Sequence, residues 1–335
     1  MKIGILGAGT WGIALAALLA NNNHNVVVWS ALPSEIDELK STHRHKNLPG
    51  AVLPENISYT KDMKAAADAE MILFVVPSSF IRSTARAISP YIADGVIIAS
   101  AAKGIEKSTL FTMTDIISDE LRLCGVRAQY SLAALSGPTH AEEVAMGIPT
   151  SIVAACEDEA VSMKIADAFS NSCMRAYTNT DVLGVEISGA MKNIIALAAG
   201  INNGMGLGDN SKAMLMTRGI AEITRLGLAM GCKRRTFMGL AGIGDLIVTC
   251  TSRHSRNNRC GELIGMGKSY EEASREIGMV VEGYHALEAA MELSKKYKVE
   301  MPITEAVYKV IKEGISPREA MLALMVRDLK SELDT

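Results

Sequence analysis

One lysine interrupts a long apolar stretch in the second half of the chain. In the window 187–201, Lys192 and Asn193 are the two residues that are neither small nor hydrophobic. A helix would place small or apolar side chains on the face of Lys192, leaving room for a cofactor or substrate: Val185, Ser188, Gly189, Ile195, Ala196 and Ala199. Because burial disfavours an ammonium, we expect the pKa of Lys192 to fall toward the operating pH, as general acid–base catalysis requires. The alternative is a lysine that extends its charged end to water at a domain seam.

Other residues could bind a phosphate or polarise a carbonyl. Lys103 directly follows an apolar run and could present its ammonium to either group, although a surface lysine beside a helix start fits equally well. Asp245 follows a glycine turn, where a simple helix cap is an equal alternative. The predicted polar loop 249–259 concentrates hydroxyls, amides and guanidinium groups, a mixture that binds phosphate well. This loop lacks interleaved aromatic residues, so we do not expect it to bind RNA.

A glycine-rich turn lies near the start of the chain. The residues Gly7-Ala-Gly9-Thr10-Trp11-Gly12 match G-x-G-x-x-G, between an apolar run and a predicted amphipathic helix over 13–20. In this motif the first glycine permits a tight turn, the second admits a pyrophosphate, and the third lets helix and strand pack closely. The turn therefore predicts a dinucleotide site with the phosphates at a helix N-terminus.

The choice between NAD(H) and NADP(H) stays open. NAD-specific enzymes usually place an Asp or Glu at the end of the second strand, where it binds the ribose 2′-hydroxyl. Here that position holds Trp29 and Ser30, without an acid. The missing acid and the basic stretch 43–46 favour a 2′-phosphate, but a solvated basic loop explains the stretch equally well.

The elements that must position these residues differ between the two halves. Short apolar runs alternate with helical stretches in the first half, and we predict strands at 2–6, 26–29, 71–76, 96–99, 130–135, 151–155 and 174–177. Runs that are apolar throughout are typical of parallel strands covered by helices on both faces. Ligands of such sheets lie beyond the carboxyl ends of the strands. The loops 77–79, 100–104 and 136–141 therefore face the predicted crevice.

After residue 180 the pattern becomes helical, with predicted helices at 181–202, 211–230, 282–297, 304–312 and 317–329. The fold class is therefore α/β, with an N-terminal Rossmann-type doubly wound sheet and an all-α C-terminal domain. We place the dinucleotide-binding domain at 1–180. The helical substrate-binding and catalytic domain then covers 181–335.

Composition excludes several other classes of protein. The chain has 335 residues, 48% of them hydrophobic, and a net charge of −3, which does not suit a nucleic-acid-binding protein. Its six cysteines form no C-x-x-C pair, so we expect reduced thiols and no metal site. Residues 3–20 resemble a signal peptide, but the glycines fit a strand, turn and helix better. We therefore expect a cytoplasmic protein without membrane insertion.

Taken together, these motifs resemble the bacterial NAD(P)-dependent glycerol-3-phosphate dehydrogenases over essentially the whole chain. The segments that carry the resemblance are 7–12, 76–78, 102–106, 136–144, 186–193, 206–210, 239–246 and 249–257. The resemblance implies that Lys192 accepts the proton of the substrate's C2 hydroxyl while a hydride passes between C2 and the nicotinamide. It also implies a homodimer formed through the helical domain and a role in supplying glycerol phosphate for phospholipids.

Further site residues follow from the same resemblance. The residues implied to bind the phosphate ester are Lys103, Gly137, Thr139, Lys192, Asp245, Ser255, Arg256 and Asn257. Those implied to bind NAD(H) or NADP(H) are Gly7, Gly9, Thr10, Trp11, Gly12, Lys103, Ala141, Arg256, Val280 and Glu282. This chain departs from the family at Ser30-Ala31-Leu32, where many members carry an Arg or His that contacts NADP.

Two other functions fit parts of the sequence. A related two-domain dehydrogenase could act on a sugar-acid phosphate or a β-hydroxy acid, but the segment 255–257 suits a small phosphomonoester better than a carboxylate. A non-catalytic redox sensor would only bind NAD(H). Nucleotide binding alone does not require an ionisable group in an apolar window, so Lys192 favours an enzyme over such a sensor.

Overall fold

The computed structural model describes residues 1–329 and 331–332. Their contacts divide the chain into two compact units. Unit 1 contains Met1–Ala102 and Met113–Val182. Unit 2 contains Lys103–Thr112 and the residues from Leu183 onward, so a short segment that lies before residue 180 in the sequence folds with the helical half.

Unit 1 contains one eight-stranded sheet. Its strands are β1 (Lys2–Leu6), β2 (Asn25–Trp29), β3 (Ile57–Thr60), β4 (Met71–Phe74), β5 (Val96–Ser100), β6 (Tyr130–Ser136), β7 (Thr150–Cys156) and β8 (Met174–Asn179). They follow the order β3-β2-β1-β4-β5-β6-β7-β8, so the chain starts in the interior of the sheet and winds outward in both directions. The predicted doubly wound sheet is confirmed, and all seven predicted strands are present.

Two details of the sheet differ from the prediction. β3 was missed because it is a four-residue edge strand that alternates buried and exposed residues instead of being apolar throughout. The expectation of a parallel sheet is wrong at one pair, since β6 and β7 are antiparallel. The helix between these two strands, Ala141–Ala145, is too short to carry the chain back along the sheet, so the chain reverses direction instead.

Helices cover both faces of this sheet. They are α1 (Thr10–Asn21), α2 (Pro33–Thr42), α3 (Met63–Ala67), α4 (Ile81–Ile88), α5 (Met113–Leu123), α6 (Ala141–Ala145) and α7 (Glu159–Phe169), with 3-10 turns at Ser78–Phe80 and Ser89–Tyr91. The expectation of an amphipathic helix at 13–20 is wrong, because α1 is buried at every residue from Gly12 to Ala20. Besides the sheet, α1 contacts α6 and α7, which leaves it no solvated face.

Unit 2 is helical, as predicted, with no strand among its described residues. Its helices are α8 (Val182–Gly204), α9 (Asp209–Ala229), α10 (Arg234–Phe237), α11 (Asp245–Thr251), α12 (Arg256–Gly265), α13 (Tyr270–Ile277), α14 (Glu282–Tyr297), α15 (Pro302–Tyr308) and α16 (Pro317–Met325), with π-helical turns at Leu240–Gly244 and Lys309–Glu313. The five predicted helices are present, although the last ends at Met325 rather than at 329. The predicted polar loop 249–259 is wrong, since α11 ends and α12 begins inside it.

The core of unit 2 forms around α8. This helix is long and apolar enough to cross a membrane, but 89% of its most apolar window is buried inside the protein, as in a core helix. Gly200 of α8 meets α12 so closely that an added Cβ would lie 2.0 Å from the Asn258 carbonyl oxygen. In the opposite direction, a Cβ at Gly261 would lie 2.1 Å from the Leu197 carbonyl oxygen. Only glycine permits this approach, which brings the start of α12 beside α8.

Candidate active site

The glycine turn of unit 1 has the geometry that a dinucleotide requires. Gly7 has φ +125°, and its N–H donates to the Trp29 carbonyl at 2.8 Å. A Cβ on Gly12 would lie 2.0 Å from the Gly7 carbonyl oxygen, so helix and turn are in backbone contact. At Gly9, by contrast, a Cβ would meet no described atom within 4 Å, and no described side chain caps α1. The open space beside free helix N–H groups fits a pyrophosphate.

The other predicted residues of unit 1 lie after strands or at helix starts. Thr10 begins α1, and its hydroxyl accepts a hydrogen bond from Asn47 Nδ2 at 3.1 Å. Gly137 follows β6 with φ +148°, and the Thr139 N–H donates to its carbonyl at 2.8 Å. Ala141 begins α6. Trp11 packs, half-buried, against the core of unit 1.

Lys192 of unit 2 is buried and makes two polar contacts. Its side chain is 7% exposed, and Nζ donates to Asp245 Oδ1 and to Thr249 Oγ1, the latter at 2.6 Å. The second carboxylate oxygen of Asp245 accepts from Lys103 Nζ at 2.6 Å. One fully buried carboxylate therefore holds two lysines that come from distant parts of the sequence.

Burial controls the charge of this cluster. Desolvation lowers the pKa of Lys192 to about 7; Asp245 opposes that shift and Lys103 adds to it. Burial alone would raise the pKa of Asp245, but the two lysines outweigh it and hold that pKa below its ordinary value. Lys192 can therefore exist in both protonation states near neutral pH, while Asp245 stays ionised.

Helix α11 places both partners of Lys192 on one face. Asp245 and Thr249 are four residues apart, so their side chains lie one above the other. The structure does not use Asp245 as the helix cap, since Gly244 occupies that position. Thr249 was not recognised as a partner of Lys192, because the sequence prediction placed it in a loop. Reading 245–251 as a helix would have revealed the spacing.

The segment Lys103–Thr112 is fixed to unit 2 along its length. Lys103 binds Asp245, Lys107 Nζ lies 2.5 Å from Glu288 Oε2, and Thr112 Oγ1 donates to Glu186 at 2.7 Å. Ile105 is buried in the core of unit 2. These contacts hold Lys103 in place even though its own side chain is one-fifth exposed.

The start of α12 brings a second group of predicted residues together. Ser255 is buried and caps the helix, its hydroxyl accepting from the Asn258 N–H at 3.2 Å. Arg256 is exposed, and its Nη1 donates to the Val280 carbonyl at 3.1 Å. Two residues beyond Val280, Glu282 begins α14. The guanidinium keeps further donors for an anion.

Asn257 connects this group to the lysine cluster. Its Nδ2 donates to Asn193 Oδ1 at 3.0 Å, and its Oδ1 accepts from the Gly283 N–H at 2.9 Å. Asn193 is the neighbour of Lys192 on α8, so one amide joins α8, α12 and α14. The sequence did not indicate that Asn193 links the two groups, although Asn193 and Lys192 are both polar in an apolar window.

The structure thus brings together Lys103, Lys192 and Asp245 in unit 2, with Ser255 to Asn257 joined to them through Asn193. The predicted residues Gly7 to Gly12, Gly137, Thr139 and Ala141 lie in unit 1. Among the described residues no group of His, Cys, Asp and Glu could hold a metal ion. The six cysteines are free thiols, and burial raises the pKa of Cys250 to about 12.

Two family models match most of the chain. Residues 2–162 match the N-terminal model, and residues 181–322 the C-terminal model, of NAD-dependent glycerol-3-phosphate dehydrogenase. A glycerol-3-phosphate dehydrogenase (NAD(P)+) of Lactobacillus delbrueckii subsp. bulgaricus is 58% identical over 333 residues, covering 99% of each chain. Another from Agathobacter rectalis is 47% identical over 99% of this chain and 97% of its own.

Solved structures show the same likeness. The crystal structure of glycerol-3-phosphate dehydrogenase from Coxiella burnetii is 36% identical, with a TM-score of 0.91 over 97% of this chain and 99% of its own. The Saccharomyces cerevisiae enzyme is 25% identical, with a TM-score of 0.81 over 96% of this chain and 98% of its own.

Proposed function

The chain belongs to the NAD-dependent glycerol-3-phosphate dehydrogenases, and from this premise we propose how its own residues carry out the reaction. The enzyme interconverts dihydroxyacetone phosphate and sn-glycerol 3-phosphate with NAD(P). When bound, the nicotinamide supplies the site that gives or accepts the hydride. The protein must therefore bind the phosphate ester, orient its C2 carbon and move one proton at the C2 oxygen.

Lys192 moves that proton. In the direction of oxidation its neutral amine takes the proton of the C2 hydroxyl, and in the direction of reduction its ammonium returns a proton to the C2 oxygen. The observation that carries this assignment is a fully buried lysine with a pKa of about 7, bound by a single carboxylate and a hydroxyl. Such a group changes its protonation state with little cost at neutral pH.

Asp245 and Thr249 position this base. The Asp245 carboxylate accepts hydrogen bonds from Nζ of both lysines. The Thr249 hydroxyl donates its proton to the Asp245 backbone carbonyl at 2.6 Å. The Thr249 oxygen is therefore left to accept a hydrogen bond from Lys192. The two acceptors fix the direction in which Nζ presents its remaining donor or lone pair. Lys103, one-fifth exposed, is available to polarise the substrate's oxygen or to bind its phosphate.

The start of α12 is the proposed phosphate site. This helix is ten residues long, and Arg256 is its first residue. The first N–H groups of a helix suit an anion, and the Arg256 guanidinium can add further donors. Ser255 can donate its hydroxyl proton while its oxygen caps the helix. Because the Asn257 side chain holds Asn193 and Gly283, we assign the phosphate contact of Asn257 to its backbone N–H. Gly137 and Thr139 are proposed as further substrate contacts through the family resemblance.

The glycine turn, with its open space at Gly9, is the proposed pyrophosphate cradle. The family resemblance supports the remaining cofactor contacts, at Thr10, Trp11, Lys103, Ala141, Arg256, Val280 and Glu282. In this arrangement the turn binds through its backbone, so Gly7, Gly9 and Gly12 need no side chain.

We further propose a cytoplasmic homodimer, formed through the helical half, that supplies glycerol phosphate for phospholipid synthesis. The family resemblance supports this assembly, and exposed apolar side chains of the C-terminal segment would gain from burial in a dimer: Leu322, Met325 and Val326. Sedimentation at micromolar concentration should give a dimer. A single species of 35.8 kDa would overturn the assembly.

Absorbance of the reduced nicotinamide tests the proposed chemistry. The natural protein should oxidise NADH or NADPH when dihydroxyacetone phosphate is added. Lys192→Ala should lose about 10²–10⁴-fold in kcat, the usual contribution of a general acid or base, and still bind the nucleotide. Lys295→Ala, which removes an exposed lysine of α14, is the matched control and should keep full activity. Turnover by Lys192→Ala at the natural rate would contradict the assignment.

A further inference from the structure

The structure brings a carboxylate to the end of β2, where the sequence has none. Ser30, which follows β2, is buried, and its Oγ donates to Glu35 Oε2 at 2.6 Å. The same oxygen accepts from the Leu32 N–H at 3.1 Å. Glu35 lies in the first turn of α2, so the helix that follows β2 supplies the acid that the strand lacks.

This carboxylate lies beside the dinucleotide turn. The Gly7 N–H donates to the carbonyl of Trp29, the residue before Ser30. The loop after α2 is held against the same turn, since Asn47 Nδ2 donates to Thr10 Oγ1 at 3.1 Å. Glu35 is close enough to His45 of this loop for its charge to oppose the lowering of the His45 pKa by burial. Ser30, Glu35 and His45 therefore lie at one side of the turn. In a Rossmann-type domain this is the side at which the adenosine ribose lies.

The charge at this position is unfavourable for a 2′-phosphate. Burial lowers the pKa of His45 and so disfavours the charged form of its ring. The flanking Arg44 and Lys46 are exposed, whereas Glu35 is half-buried and fixed by Ser30. A 2′-phosphate would bring its negative charge to a carboxylate, while a 2′-hydroxyl could donate a hydrogen bond to it.

We propose that Glu35, oriented by Ser30, binds the ribose hydroxyls of the adenosine half of the cofactor and selects NADH over NADPH. This inference rests on the proposed dehydrogenase function and adds the choice of nucleotide. It also reverses the weak preference for a 2′-phosphate that the sequence indicated. The position directly after β2 lacks an acid, but Glu35, five residues further along the chain, brings its carboxylate to the end of β2.

Direct nucleotide binding, without substrate, tests the proposal. The two tryptophans of the chain, Trp11 in the turn and Trp29 at the end of β2, are reporters placed at the site. Titration with NADH or NADPH, followed by quenching of their fluorescence, should give a Kd for NADH at least about tenfold lower, as expected for a hydrogen bond to a charged group. Equal or tighter binding of NADPH would overturn the proposal.

Substitutions at Ser30 and on α2 test whether Glu35 determines the preference. Glu35→Gln should reduce the ratio of the two Kd values by about fivefold or more, because the amide keeps the size of the side chain and removes its charge. Ser30→Ala should shift the ratio in the same direction, since Glu35 loses its anchor. Asp37→Asn is the matched control, because its carboxylate pairs with Lys61 at 2.7 Å; the ratio should not change. If Glu35→Gln kept the ratio of Kd values that the natural protein has for the two nucleotides, the role of Glu35 would be overturned.

The outcomes separate this inference from the dehydrogenase function. Preferential binding of NADH without turnover of dihydroxyacetone phosphate would support the inference and contradict the proposed chemistry. Turnover at equal affinity for both nucleotides would support the chemistry and overturn the inference. Failure to bind either nucleotide would overturn both.

Discussion

The glycine turn and the lysine cluster are built in opposite ways. The turn from Gly7 to Gly12 is local in sequence, and its geometry depends on the absence of side chains at three positions. The cluster joins Lys103, Lys192 and Asp245, which are separated by as many as 142 residues, and works because each charged side chain has its partner. Added atoms should therefore impair the stability or nucleotide binding of the turn, whereas removal of one charged group should impair the stability and kcat that depend on the cluster.

Loss of the shared carboxylate should have the largest effect. In Asp245→Asn two lysines would face each other without a counter-charge, and Lys192 would lose the group that raises its pKa. Since breaking a buried ion pair typically costs about 3–5 kcal/mol, we expect the midpoint of thermal unfolding to decrease. Because the carboxylate also positions Lys192, we expect kcat to fall by about 10²-fold. Steady-state kinetics and calorimetry measure both effects.

Asp209→Asn is the control for this change, because that carboxylate is fully exposed on α9. It should leave kcat and the unfolding temperature unchanged. If Asp245→Asn kept the kcat of the natural protein, catalysis would not depend on the carboxylate that the two lysines share.

Added atoms at the turn should have the next largest effect, and the two glycines should differ. Gly12→Ala would place Cβ 2.0 Å from the Gly7 carbonyl oxygen and should lower the free energy of unfolding by about 2–4 kcal/mol. Gly9→Ala meets no described atom, so it should change stability by less than about 1 kcal/mol while weakening nucleotide binding. Denaturant unfolding and fluorescence titration measure the two quantities. Equal stability losses in both variants would contradict the assigned roles.

A smaller effect is expected where α12 crosses α8. Gly261→Ala would force Cβ to 2.1 Å from the Leu197 carbonyl oxygen and should cost about 1–3 kcal/mol by overpacking. Because α12 carries Arg256 and Asn257, the KM for the phosphate ester should also rise. Gly239→Ala, where an added Cβ would make only ordinary contacts from 3.5 Å, is the control. An unchanged KM in Gly261→Ala would mean that this crossing does not position the phosphate site.

The same contrast explains what the sequence could predict. Gly7, Gly9 and Gly12 form a continuous motif, and their three roles follow from the pattern alone. Lys192 could be recognised from the sequence, because burial of a charged side chain in an apolar helix is unfavourable and therefore indicates a function. Its link to Asp245 was not recognisable, since 53 residues separate the two and only tertiary packing joins them.

Other misses have the same origin. The acid beside Ser30 comes from Glu35 on the next helix, so a search at the strand end could not find it. The sequence could not indicate that the Asn257 side chain contacts Asn193 and Gly283, because these contacts depend on how three helices meet. Strand β3 was not predicted, because a four-residue edge strand with alternating buried and exposed residues does not resemble the buried strands of the sheet.

The pH dependence of kcat/KM for glycerol 3-phosphate oxidation tests the central role of Lys192 most directly. Because oxidation requires the neutral amine, the rate constant should rise with pH and level off above a pKa of about 7, and the rate of reduction should fall through the same range. In Asp245→Asn the midpoint should move to lower pH, since the carboxylate raises the pKa of Lys192. A midpoint near 10.5, the ordinary value for lysine, or one that is unchanged in Asp245→Asn, would contradict the account.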